Sequence, residues 1–235
     1  MEKLIFPLWK STQQSGDEFR DTLLARREEL NALEGVRAGR LLVVDSDVAP
    51  CAHRSQDHSK PVPDAILTLW MNRAEEGRAV GDFLAPLVTR FTSYLATESE
   101  PLINEKHAAQ PGERVHGFCH VVFLQRPPWL SEAQWLEIWH GKHTQIAIDI
   151  QSTFGYRQNT LVRSLSYAAP PLHAMIEENF PASAMTSDYA FYDLEEGDDE
   201  GVARRGKEMI DSVARFIDFD KIDVIPTSEY TLKTL

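Results

Sequence analysis

The sequence predicts an α+β fold made of two β-α-β-β-α-β units in tandem, 1–110 and 111–235. Short apolar runs of strand type alternate, twice over, with longer segments whose apolar residues recur at helical spacing. The order of these segments is the same in both halves although few letters match, so the repeat is one of pattern. A polar stretch with Pro and Gly, HAAQPGER at 107–114, separates the two.

In the first half, Lys3 to Trp9 reads as a strand, and STQQSGDEF after it as a turn that starts a helix capped by Ser15 or Asp17. Phe19, Leu23, Leu24, Leu30 and Leu33 carry that helix to Gly35. Arg40 to Val44 and Ala65 to Met71 read as strands, joined by the polar, proline-punctuated loop DSDVAPCAHRSQDHSKPVPD. A helix over 80–97, with Phe83, Leu84, Leu87, Val88, Phe91 and Leu95 inward, leads to a weak strand around 102–106.

The second half opens with a strand from Val115 to Gln125. Ser131 caps the next helix, Glu132 sits in its electropositive first turn, and Trp135, Leu136, Trp139, Ile146 and Ile150 form its apolar stripe. Ser152 and Gly155 end it, and Tyr156 to Val162 alternate as a strand. HAMIEENF is a third strand, a helix from about 200 to 217 buries Val202, Met209, Ile210, Val213 and Phe216, and 221–230 closes the unit. This is the split, ferredoxin-like arrangement. Two such sheets, each with helices on one face, can cover each other face to face and enclose a cavity.

With 235 residues, 43% hydrophobic and 26% charged, the chain can bury a sizeable core and contains no apolar run of membrane-spanning length. MEKLIFPLWK has neither the h-region nor the cleavage site of a secretory signal. A net charge of −12 repels a polyanion, which argues against a nucleic-acid partner. Cys51 and Cys119 have no companions at metal-finger spacing and suit a reducing cytoplasm.

The run WLEIWHGKH followed by GYRQN, with Trp139, His143, Tyr156, Gln158 and Asn159, resembles the EthD-like proteins of the dimeric α/β-barrel superfamily. PPLHAMIEENFP and FIDFDKIDVIPTSEY extend the resemblance over roughly 115–235, while the first half matches in element order alone and has no W-x-x-x-H helix. The resemblance implies an intrachain pseudo-dimeric α/β barrel with its site mostly in the second half. It also implies a range of activities, among them cofactor-free oxygenases, cyclases and lyases, and a homodimer is compatible with it.

Strand alternation places Gly117, Cys119, Val121 and Phe123 on one face of the 115–125 strand and His116, Phe118, His120, Val122 and Leu124 on the other. The first, all-apolar face is expected to meet the helices, which turns His116 and His120 toward the cavity. On the third strand the same test turns His173, Met175, Glu177 and Asn179 inward, with Glu178 the alternative carboxylate if the register slips by one. A histidine beside a carboxylate is a general base for removing a proton next to a carbonyl, so His143, His120 and Glu177 are the catalytic candidates. His143 is expected on the Trp139 face of its helix, partly buried at the cavity mouth.

Trp139, Tyr156, Asn159 and His116 are the ligand-binding candidates, Tyr156 and Asn159 lying on opposite strand faces. Each has a plain structural reading: the helix tryptophan as core, strand and helix histidines as packed hydrogen-bonding groups, and Glu177 or Glu178 paired with Arg157 or Arg163. No HExxH, H-x-H or Cys pair is present, and no GxGxxG, phosphate loop or G-x-S-x-G elbow, so neither a metal nor another cofactor is expected. The reading is a small-molecule enzyme working by acid–base chemistry on an aromatic or polyketide-like carbonyl compound. Its alternative is a non-catalytic accessory protein that binds a small hydrophobic or aromatic molecule.

Overall fold

Eight strands rich in β-branched and aromatic residues form the frame. They are β1 (Glu2–Trp9), β2 (Val36–Val43), β3 (Ala65–Met71), β4 (Tyr94–Leu102), β5 (Phe118–Leu124), β6 (Gly155–Ser164), β7 (Ala174–Phe180) and β8 (Ile222–Lys233). The computed structural model describes residues 1–167 and 169–235. Around the barrel the order is β2-β3-β1-β4-β6-β7-β5-β8, every neighbouring pair is antiparallel, and β8 returns to pair with β2, for example Ser228 with Val43. The eight strands thus close into an antiparallel barrel with no free edge.

The halves meet edge to edge at the β4–β6 and β8–β2 seams, where the sequence suggested two sheets lying face to face. Within each half the sheet order is second, third, first, fourth. Helices α1 (Gly16–Ala25), α2 (Arg27–Asn31) and α3 (Gly77–Leu84) cover the first half. Leu4, Phe6, Leu8, Phe19, Leu41 and Phe83 pack in that layer. Helices α4 (Glu132–Ile138), α5 (Thr144–Ile150), α6 (Asp188–Phe191) and α7 (Asp199–Val213) belong to the second. Ser131 caps α4 as expected, accepting from the Gln134 N–H at 3.3 Å. No helix among the described residues is long and apolar enough to cross a membrane.

One element differs sharply from expectation. The helix over 80–97 is in fact a short α3 ending at Leu84, and Tyr94–Leu102 is strand β4. Phe91 and Leu95 continue a 3.6-residue period by coincidence. Pro86 and the run TRFTSY, with its β-branched and aromatic residues, oppose a helix there and favour extended chain.

Candidate functional site

The barrel interior has an apolar and a charged layer. Ile5, Leu42, Ile66, Tyr94, Val121, Phe123, Met175 and Ile225 fill the first. The second is built on Glu177, which is fully buried and accepts from Arg157 Nε at 3.0 Å, Arg40 Nη1 at 2.7 Å and Asn159 Nδ2 at 3.0 Å, with Lys3 Nζ at 3.4 Å. Glu229 completes the lattice through Arg157 Nη2 at 2.6 Å, Arg40 Nε at 3.1 Å and Asn179 Nδ2 at 2.7 Å. Lys3 also pairs with Glu98, and Trp70 offers its ring to Lys3 at 4.7 Å and Arg40 at 5.1 Å.

Burial works against the Glu177 carboxylate, but Lys3, Arg157 and Arg40 outweigh it and hold the group well below the usual carboxylate range. Glu177 is therefore inward, as strand alternation requires, yet it is engaged on both oxygens. Its partners Lys3 and Arg40, and the Glu229 that shares Arg40 and Arg157 with it, lie far off in sequence. Their one sequence signal is a charge at an alternate position of an otherwise apolar strand. Above this layer a cavity of about 360 Å³, bordered by Trp70, Glu98, Glu100 and His107, opens at the barrel mouth.

The 115–125 strand faces the opposite way from the expectation. Cys119, Val121 and Phe123 join the apolar plug of the barrel, and Phe118, His120, Val122 and Leu124 face the helix layer. An apolar strand face suits either side of a sheet whose two faces are both covered, so alternation sorts the residues without telling in from out. His116 lies on the surface before the strand, its ring 4.5 Å from that of His107.

His143 also departs from the expected place at a cavity mouth. It is 5% exposed, and Nδ1 lies 2.9 Å from Ser212 Oγ on α7 with the ring 4.9 Å from Phe216. Residues Trp139–His143 form a π-helical turn between α4 and α5. The extra residue rotates His143 toward α7, while Trp139 stays wholly buried against Trp135 at 5.1 Å.

The remaining motif residues hold this turn on the sheet. Trp139 Nε1 points at the Tyr156 hydroxyl at 3.4 Å. Gln158 Nε2 donates to Thr144 Oγ1 at 2.6 Å, and Thr144 in turn donates to the Trp139 carbonyl at 2.9 Å. Asn159, on the opposite face, points into the barrel at Glu177.

What the structure brings together is a different group. Glu178 stands directly opposite His120 of β5 on one side and Tyr156 of β6 on the other, and all three face the helices. Cross-strand neighbours of this kind have Cβ atoms about 5 Å apart. Glu178 has no hydrogen-bond or ion-pair partner among the described residues, and burial pushes its carboxyl up to about 7. Burial lowers the His120 imidazole to about 4, against a small opposing contribution from the Arg54 carbonyl at 3.5 Å. Burial likewise raises the Tyr156 phenol, which stays protonated. Phe118, Phe180 and Phe191 present ring edges or faces to His120 at 6.0, 6.2 and 6.4 Å. Glu178 and His120 are partly exposed. No cluster of three or more His, Cys, Asp or Glu side chains is arranged to hold a metal ion among the described residues.

No protein-family profile matches the chain, and no curated protein is similar to it in sequence. Solved structures are similar in fold. An anthrone oxidase-like protein superposes with a TM-score of 0.57 at 10% identity, covering 98% of this chain and 90% of its own. A protein of Fusobacterium nucleatum subsp. nucleatum, described as a candidate monooxygenase, gives 0.51 at 10% identity, covering 99% and 92%. The chain shares the α/β-barrel fold of these structures. At such identities the likeness extends to the fold alone.

Proposed function

We propose that this α/β barrel is a small-molecule enzyme of EthD or oxygenase type that removes a carbon-bound proton acidified by the carbonyl of an aromatic compound, with Glu178 as the general base. The reading takes the chain as two ferredoxin-like units, 1–110 and 111–235, that make an intrachain pseudo-dimer with the site in the second. The repeated sheet order supports this.

One observation carries the assignment: an unpaired, largely buried carboxyl with a pKa of about 7 stands in a row with His120 and Tyr156. A base is most effective when its pKa lies near the working pH, and a paired carboxylate such as Glu177 is too weak a base to compete. Glu178 as carboxylate accepts the proton, leaving an enolate. The neutral His120 imidazole, opposite Glu178 and partly exposed, is the group assigned to hydrogen-bond that charge, and the buried Tyr156 flanks Glu178 on the other side. The stacked Phe118, Phe180 and Phe191 rings wall His120 on one side and keep its surroundings apolar.

Anthrone, whose methylene is acidified through the ring by its carbonyl, is a suitable probe, chosen from the name of one structural neighbour. Exchange of that methylene in deuterated water is followed by NMR, with oxygen consumption in parallel to detect an oxygenase. The wild-type protein is expected to accelerate exchange, and Glu178→Gln to lose about a hundredfold or more of it. Equal rates for Glu178→Gln and wild type would remove Glu178 from the chemistry.

A further inference from the structure

A cavity on the first half lies away from the Glu178 row. About 520 Å³ in volume, it is bounded by α3, β1 and the end of β6. Its floor is apolar: Phe91 and Leu165 keep some accessible surface, and Leu4 and Phe6 beneath them are fully buried. Along this floor α3 presents Gly77 and Gly81, one turn apart, and Ala85 follows at the end of the helix. At Gly77 a Cβ would come within 2.7 Å of Leu4, and at Gly81 within 3.2 Å of the Phe91 ring, so the helix backbone rests directly on the floor.

Two guanidinium groups rim this cavity from opposite walls, Arg78 on α3 and Arg163 on β6. Neither has an ion-pair or hydrogen-bond partner among the described residues, whereas Arg40, Arg157, Arg54 and Arg20 are all engaged with carboxylates. Two acids also reach the rim, Glu75 and Asp82, and both lie on the helical wall at i−3 and i+4 from Arg78. That spacing lets them neutralise Arg78 in solution. Among the described residues no acid borders the cavity on the strand side, where Arg163 stands beside the Ser93–Ser166 hydroxyl pair, 2.8 Å apart.

We infer that this cleft is a binding site for a flat, apolar anion, an aromatic carboxylate or phenolate whose rings lie on the Phe91 and Leu165 part of the floor and whose charge meets Arg163. A planar fork of donors matches a carboxylate better than a point charge would, and the two hydroxyls add donors beside it. The volume falls in the range of ordinary small-molecule sites. The site is independent of the Glu178 reading and stands or falls separately.

Anthracene-2-carboxylate, which is fluorescent, is the probe, titrated against the full chain with anthracene-2-carboxamide as the uncharged comparison. One saturable site is expected, with the carboxamide bound at least tenfold more weakly. Arg163→Gln is expected to weaken the carboxylate by about ten- to a hundredfold, the worth of a charged hydrogen bond. Ala85→Phe fills the cleft from an exposed position and is expected to abolish binding without lowering the melting temperature. Arg204→Gln, another exposed arginine, and Glu178→Gln should bind as the wild type does. The inference is overturned by a wild-type protein with no saturable site, by Arg163→Gln or Ala85→Phe binding as tightly as wild type, or by Glu178→Gln losing the probe.

Discussion

Glu178 on β7 and His120 on β5 face one another across an antiparallel pair, and burial moves them in opposite directions, the carboxyl to about 7 and the imidazole to about 4. Between those values both are neutral. The two therefore form no ion pair, unlike Glu177 one residue away, and the carboxyl is left with chemistry still open to it.

The first consequence is a pH-dependent strain. Because the folded-state pKa of Glu178 lies above its ordinary 4.5, its protonated form is favoured in the fold. That contribution is fully present below about 4.5 and is lost as the pH rises through 7. Glu178→Gln, which keeps the shape and cannot ionise, should match the wild type at pH 4 and exceed it at pH 9 by on the order of 3 kcal/mol. Urea melts across that range measure the difference, and a constant gap would contradict it.

His143 is expected to matter for stability and not for turnover. His143→Ala removes the contact with Ser212 and the packing on Phe216, a loss of roughly 2–3 kcal/mol. Burial also lowers its imidazole to about 4, so what it contributes is present above the unfolded value of 6.5 and declines as the pH falls toward 4. Melting temperature and anthrone exchange on one preparation separate the roles. A stable but inactive variant would restore His143 as a catalytic group.

Glu177 should prove structural. Glu177→Gln leaves Lys3, Arg40 and Arg157 short of a counter-charge inside the barrel, which costs about 3–5 kcal/mol for a broken buried pair. Because Lys3 and Arg40 come from the first half and Arg157 and Glu177 from the second, the loss should appear as weaker association of the halves along with global unfolding. Removing both Glu177 and Arg157 should cost less than the sum of the single losses, measured by a double-mutant cycle in urea.

These outcomes mark how far the sequence could be read. The β7 alternation was legible because Ala174 and Ile176 on one face contrast with Glu177 and Asn179 on the other. On β5 the contrast was missing: Cys119, Val121 and Phe123 suit a barrel plug as well as a helix layer. Glu178 entered only as a register alternative, since its importance comes from the neighbours β5 and β6 place beside it. The W-x-x-x-H spacing could not show that a π turn rotates His143 toward α7.

The pH profile of exchange tests the origin of the Glu178 shift. If Glu178 is the base, the rate should rise through about 7 and level off once the carboxylate is formed, following the group's own titration by NMR of 13C-labelled glutamate. Burial is the one cause of that shift, and a neutral His120 adds no charge to it. His120→Gln, similar in size and uncharged, should therefore leave the rising limb where it is. Phe191→Ala removes a ring stacked 4.6 Å from Phe180 beside His120 and admits water. Better solvation favours the carboxylate, so the limb and the NMR titration should both move down by about one unit. Movement with His120→Gln and none with Phe191→Ala would reassign the shift from desolvation to charge, and with it the protonation state in which the pair works.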